Sequence, residues 1–134
     1  MTNSYASYLE AALYNRAMAA RRESTRLYFI ELEIKDSIKE TVSIDGNVRK
    51  YINPVSMGII LGCNCHDLYV AIENHKRHLA TIDESWLDNY GNRNFKCDPR
   101  DRVYIQGWIN FLSLECFSDS LEAKEAVRVL KEVA

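Results

Sequence analysis

The densest run of metal-ligating and nucleophilic side chains is Cys63-Asn64-Cys65-His66. Zinc takes four ligands in a tetrahedron, supplied as two pairs whose members lie two to four residues apart. Cys63 with His66 meets that spacing, while Cys63 with Cys65 is tighter. A second pair would have to come from His75, His78 or Cys97, and no Cys-x-x-Cys occurs in the chain. The run reads instead as a turn of small residues after Gly62, with Cys63, Cys65, His66 and Cys97 holding no metal. A thiol enzyme would need a base and an orienting group around its cysteine, and the sequence supplies no orienting residue. Glu33-Ile34-Lys35 has the acid-x-lysine form of metal-dependent nucleases. Without an acidic ligand on a preceding strand, its charges read as the solvent face of a half-buried strand. Phosphate-cradling glycine loops and nucleophile elbows are absent from the sequence. No catalytic residue and no cofactor is implied.

Two segments have the composition of recognition surfaces. Trp86 and the run Asn89-Tyr90-Gly91-Asn92-Arg93-Asn94-Phe95-Lys96 combine large amphipathic side chains with adaptable polar ones. Tyr90, Arg93, Phe95 and Lys96 are the candidate partner-binding residues of this loop, with Trp86 and Phe95 also suited to pinning it to a core. Arg16, Arg21, Arg22 and Arg26 form a basic cluster at the end of the first helix, the candidate contact for nucleic acid. His75-Lys76-Arg77-His78 spans one helical turn, with His75 on the apolar stripe and Lys76 and Arg77 solvated.

The elements that must position these residues follow from period and punctuation. Tyr5, Leu9, Ala12, Leu13, Ala17 and Ala20 recur at helical spacing and predict a helix over 4–22. Tyr28, Ile30, Leu32 and Ile34 then alternate with Phe29, Glu31, Glu33 and Lys35, which predicts a strand. A second strand follows around 38–44, Asp45-Gly46-Asn47 gives a hairpin turn, and a third strand runs over 48–52. Asn53-Pro54 caps and opens a short apolar helix closed by Gly62, with a buried strand as the alternative. A helix over 67–80 comes next. Thr81-Ile82-Asp83-Glu84 reads as a capping box for a helix from Ile82, and Asp98-Pro99 as the start of another. That last helix carries Tyr104, Ile105, Trp108, Ile109, Phe111, Leu112 and Cys116 around most of its circumference, so it is expected to be central, with Cys116 buried. Gly107 within it predicts close approach by a neighbour. Ser118 or Ser120 caps the final helix, with Leu121, Val127, Leu130 and Val133 inward.

The expected fold is therefore α+β and helix-rich: an N-terminal helix, a three-stranded antiparallel meander, then four or five packed helices in one domain over 1–134. The opening order resembles that of double-stranded-RNA-binding domains. Such domains grip phosphate with lysines at the start of the second helix. This chain has Asn64-Cys65-His66-Asp67 there, so the resemblance implies an order of elements only.

With 17 basic and 19 acidic residues in 134 and a formal charge of −2, the chain has no overall field to hold it on nucleic acid or a membrane. A polar start without a basic-then-apolar leader, and four cysteines, suggest the reducing cytoplasm. Three classes remain. The first is a non-enzymatic module that binds another protein, in the manner of the small inhibitors and regulators carried by phages and mobile elements. The second is a nucleic-acid binder using the arginine cluster, and the third an enzyme with a dispersed site.

Overall fold

The computed structural model describes residues 4–42, 46–88, 98 and 100–134. The first 45 residues contain neither proline nor glycine before Gly46. Nothing therefore interrupts helix α1, which runs unbroken from Ser4 to Ser37. The expected strand over 28–35 is its last part. Ile30 and Ile34 satisfy both periods, since four residues is one helical turn and also two strand repeats. Burial separates the two readings. Ile30 and Ile34 are fully buried, whereas Tyr28 and Leu32, which a strand would bury beside them, are exposed. Leu27 and Ile38 complete the packed face at helical spacing.

The sheet is antiparallel, with spatial order β1-β2-β4-β3. Strand β1 (Lys39–Val42) pairs with β2 (Val48–Ile52) from Lys39 opposite Tyr51 to Val42 opposite Val48, the hairpin expected around Gly46. Gly46 has φ +84°, a left-handed conformation that side-chain-bearing residues avoid. The neighbour of β2 on its other side comes from far along the chain. Strand β4 (Arg102–Tyr104) sets Tyr104 opposite Tyr51 and Val103 opposite Ile52. The short β3 (Leu87–Asp88) flanks β4.

Helix α2 (Pro54–Leu61) is bounded as its punctuation requires. The Asn53 carboxamide accepts from Val55 N, and Gly62 closes the helix at φ +68°. Helix α3 (Cys65–Ile82) is capped by Asn64 and extends through the expected break at Thr81. No helix starts at Ile82; a turn leads into β3 instead. Asp98 does not open a helix either. β4 intervenes, and α4 spans Ile105–Leu112. A 3-10 turn at Glu115–Phe117 leads to α5 (Leu121–Val133), whose cap is Ser120 accepting from Ala123 N. Leu121 is exposed; the inward face of α5 is Ala123, Ala126, Val129 and Leu130.

The helix α4 is the centre of the core. Trp108 is fully buried, and its indole Nε1 donates to the Ile52 carbonyl at 2.9 Å, tying α4 to β2. Phe111 meets Trp108 and Phe117 edge-on. The close approach foreseen at Gly107 is the backbone of Trp86: a Cβ on Gly107 would lie 2.8 Å from both the Trp86 Cβ and its carbonyl oxygen.

Candidate functional site

The N-terminal stretch of α1 is a long exposed surface. The helix has 34 residues, about 51 Å at 1.5 Å per residue. The Arg26 guanidinium ties it to the body, donating to the Ile60 carbonyl at 3.1 Å. From residue 9 to residue 25 every position is exposed except the half-buried Ala12 and Met18. Leu9, Leu13 and Tyr14 are 47%, 55% and 65% exposed. Beyond Arg26 the outer side of the same helix keeps Tyr28, Phe29 and Leu32 in water, the two rings 6.2 Å apart. Isolated apolar side chains on a surface are ordinary; here Leu9 and Leu13, one turn apart, share one face, and Tyr14, Tyr28 and Leu32 stand on another.

The four arginines of the nucleic-acid reading do not share a face. Arg16, Arg21 and Arg22 are exposed, but at about 100° per residue Arg16 and Arg21 point some 140° apart. Arg26 is turned inward to Ile60.

Tyr90, Arg93, Phe95 and Lys96 lie outside the described residues, as does Cys97. The chain on either side of them is fixed. Leu87 and Asp88 are held in the sheet. Asp98 and Asp101 are anchored by Asn53, whose Nδ2 donates to the Asp98 and Asp101 carbonyls at 2.9 and 2.6 Å. The Tyr69 hydroxyl donates to Asp101 Oδ2 at 2.6 Å, and Asp101 is fully buried. Asp98 accepts from the Arg100 guanidinium, which holds its carboxyl below the usual carboxylate range. Trp86 is buried against Gly107, so its role is packing.

Sequence reasoning missed a second surface because its members lie some fifty residues apart. Arg49 stacks 3.8 Å over the Tyr104 ring and Arg102 5.3 Å over Tyr51, with Arg102 also donating to Thr41 at 3.1 Å. The cross-strand pairing of Tyr51 with Tyr104 creates this guanidinium–ring ladder. Beside it Val48, Lys50, Ile105 and Gln106 border a cleft of about 310 Å³. Only the alternation within 48–52 hinted at the ladder.

The cysteine–histidine run does not assemble into one centre. Cys63 is a free thiol, pushed above its ordinary pKa by burial and by the nearby Asp67 carboxylate. Cys65 is disulfide-bonded, a state the sequence reading did not expect. A disulfide sulfur does not ligate zinc, and among the described residues no group of three or more His, Cys, Asp or Glu converges. Cys116 is exposed in the 3-10 turn rather than buried on α4, and its Sγ lies 3.9 Å from His75 Nε2. That pair brings a thiol to an imidazole, and among the described residues no third group hydrogen-bonds the ring to orient it. Glu33 sits on α1, not on a strand, which removes the nuclease geometry.

Among the described residues no single helix is long and apolar enough to cross a membrane. No family model, curated protein or solved structure matches this chain.

Proposed function

We propose that this chain is a non-enzymatic protein-binding module, of the kind that inhibits or regulates its partner, and that the outstanding stretch of α1 is its principal contact. The observation that carries the reading is Leu9 and Leu13, with Tyr14 on a neighbouring face, left in water on a helix whose following turns are packed. Leucines one turn apart on an exposed helix are suited to entering a groove or lying along another helix. The loop with Tyr90, Arg93, Phe95 and Lys96 is a second contact in this proposal. Its fixed flanks limit the ordering entropy lost on binding. The guanidinium–tyrosine ladder has the residue types that dominate protein interfaces.

The reading is tested by affinity capture from host lysate with the intact chain and with Leu9→Ser/Leu13→Ser. The expected result is a stoichiometric protein, a second copy of the chain included, that is lost from the double variant while far-UV circular dichroism and the melting temperature stay unchanged. Recovery of nucleic acid in place of protein, equally by both chains, overturns it. The paired exchange Tyr90→Ala/Arg93→Ala examines the loop, where an affinity loss of about tenfold is expected.

A further inference from the structure

Strand β2 is flanked unevenly. It pairs with β1 from Val48 to Tyr51, but on its other side β4 reaches only Tyr51 and Ile52 before the chain turns into α4. The edge of β2 from Val48 to Lys50 therefore borders a notch, the cleft of about 310 Å³ that Tyr104, Ile105 and the end of α5 close. Successive residues of a strand point to opposite faces, so Arg49 and Lys50 reach this notch from the two sides of the sheet. Among the described residues no aspartate or glutamate lines it.

The two cations differ in what answers them. The Lys50 ammonium donates to the Val133 carbonyl at 3.2 Å, and Glu40 stands opposite Lys50 across the β1–β2 pair. Arg49 has Thr41 opposite it, and its neighbours on that face of β1 and β2 are Lys39 and Tyr51, neither of them acidic. Its guanidinium lies 3.8 Å over the Tyr104 ring, and among the described residues no oxygen accepts from it. A ring holds a guanidinium by its flat face, whereas the five N–H groups point outward in the guanidinium plane. Stacking thus fixes the orientation of the cation and leaves its donor edge open. The platform beneath it is anchored: Tyr104 is buried, and its backbone N–H donates to the Trp86 carbonyl at 2.9 Å.

We propose that this notch is a binding site for a carboxylate carried on an apolar body, the carboxylate accepting two parallel hydrogen bonds from Arg49. Charge and shape both select that ligand. One planar fork matches the two oxygens of one carboxylate. A phosphate dianion would call for a second cation free to turn to it, and Lys50 is engaged at the end of α5. The apolar body is set by the walls, where Val48, 63% exposed, and Ile105 present carbon beside the fork. The volume is at the small end of ligand pockets. Because Arg49 is held before the ligand arrives, less side-chain entropy is lost on binding. The carboxylate can come from a free organic acid or from a glutamate or aspartate of another protein, and the chemistry at Arg49 is the same. The site lies on the sheet and is independent of the contact proposed for α1.

The test is a titration of the full chain followed by heteronuclear NMR. The probes are hexanoate, hexanamide as its uncharged counterpart, inorganic phosphate, and a blocked peptide whose single charge is one glutamate between valines. Hexanoate is expected to shift the amide signals of residues 48–50 and 104–106, with hexanamide weaker by about tenfold. Arg49→Gln should weaken hexanoate binding by about tenfold. Arg49→Lys should restore only part of it, since an ammonium lacks the fork. Circular dichroism and thermal melting of both variants check that the sheet persists. A peptide that binds more tightly than hexanoate supports the site and assigns the carboxylate to a partner protein. Hexanoate binding without peptide binding supports it and assigns the carboxylate to a free acid. The proposal is overturned if hexanamide binds as well as hexanoate, if Arg49→Gln leaves hexanoate binding unchanged, if phosphate shifts the same amides at the same concentration, or if no probe binds.

Discussion

The two ends of α1 belong to one uninterrupted helix, yet they experience different solvents. In the C-terminal part Ile30 and Ile34 are fully buried, Glu31 bonds Lys35 at 3.0 Å and lies 3.9 Å from Arg128 on α5, and Arg26 is tied to α2. In the N-terminal part leucines on the same rows stand in water. Leu9 and Leu13 thus stand on the side of α1 that Leu27, Ile30 and Ile34 bury further along. Short helices are marginal in water on their own. The outstanding turns consequently draw their order from continuity with the packed ones.

Substitutions can break this contrast or sharpen it. The largest effect is expected in the body that anchors the helix: Trp108→Ala should cost roughly 3–5 kcal/mol in denaturant melts. A loss below about 1 kcal/mol would mean that α4 is not the centre of the core. Next comes the contrast itself. Ile34→Ala should cost about 2–5 kcal/mol. Leu13→Ala should stay within about 0.5 kcal/mol, measured at concentrations where the chain is monomeric. Similar costs at the two positions would remove the distinction between the halves. The smallest effect is electrostatic. The Lys35 ammonium bonded to Glu31 holds that carboxyl below its usual pKa, with Arg128 adding to the shift. A lowered folded-state pKa stabilises the protein above the unfolded value of about 4.3, and the gain disappears as pH falls through the folded value. Glu31→Gln should therefore lower the melting temperature slightly at neutral pH and converge with the wild type in acid. A gap that persists below about pH 3 would show that Glu31 acts by packing.

Local punctuation was legible in the sequence wherever one residue decides the outcome. Asn53-Pro54 and Gly62 bound α2, Gly46 turns the hairpin, and Gly107 marks the approach of Trp86. Period failed between Tyr28 and Lys35, where Ile30 and Ile34 fit a helix and a strand alike and only tertiary burial separates them. Strand β4 was illegible for a different reason. Arg102-Val103-Tyr104 is too short to show alternation, and its partner, β2, lies some fifty residues away. Asp101 gave no sign of being buried, because the Tyr69 hydroxyl that receives it is on another element. Of the candidate site, Leu9 and Leu13 were visible as a stripe, but a stripe does not say what it touches. The guanidinium ladder depended entirely on the unrecognised strand.

The placement of Trp86 and Trp108 has a spectroscopic consequence. They are the chain's two tryptophans, both essentially buried and separated by the close-packed Gly107, while tyrosines mark the free and outer faces of α1. Indole emission therefore reports melting of the body as a blue-shifted signal moving red, and it is nearly blind to fraying or docking of the outstanding helix. Tyr14 sees those events directly. Excitation selective for indole thus watches the body alone, while excitation shared with phenol adds Tyr14 on the outstanding helix to the body's Tyr51, Tyr69 and Tyr104, and a lag between the two traces on heating that is lost in Tyr14→Phe would measure how far order at the tip outlives, or precedes, collapse of the core.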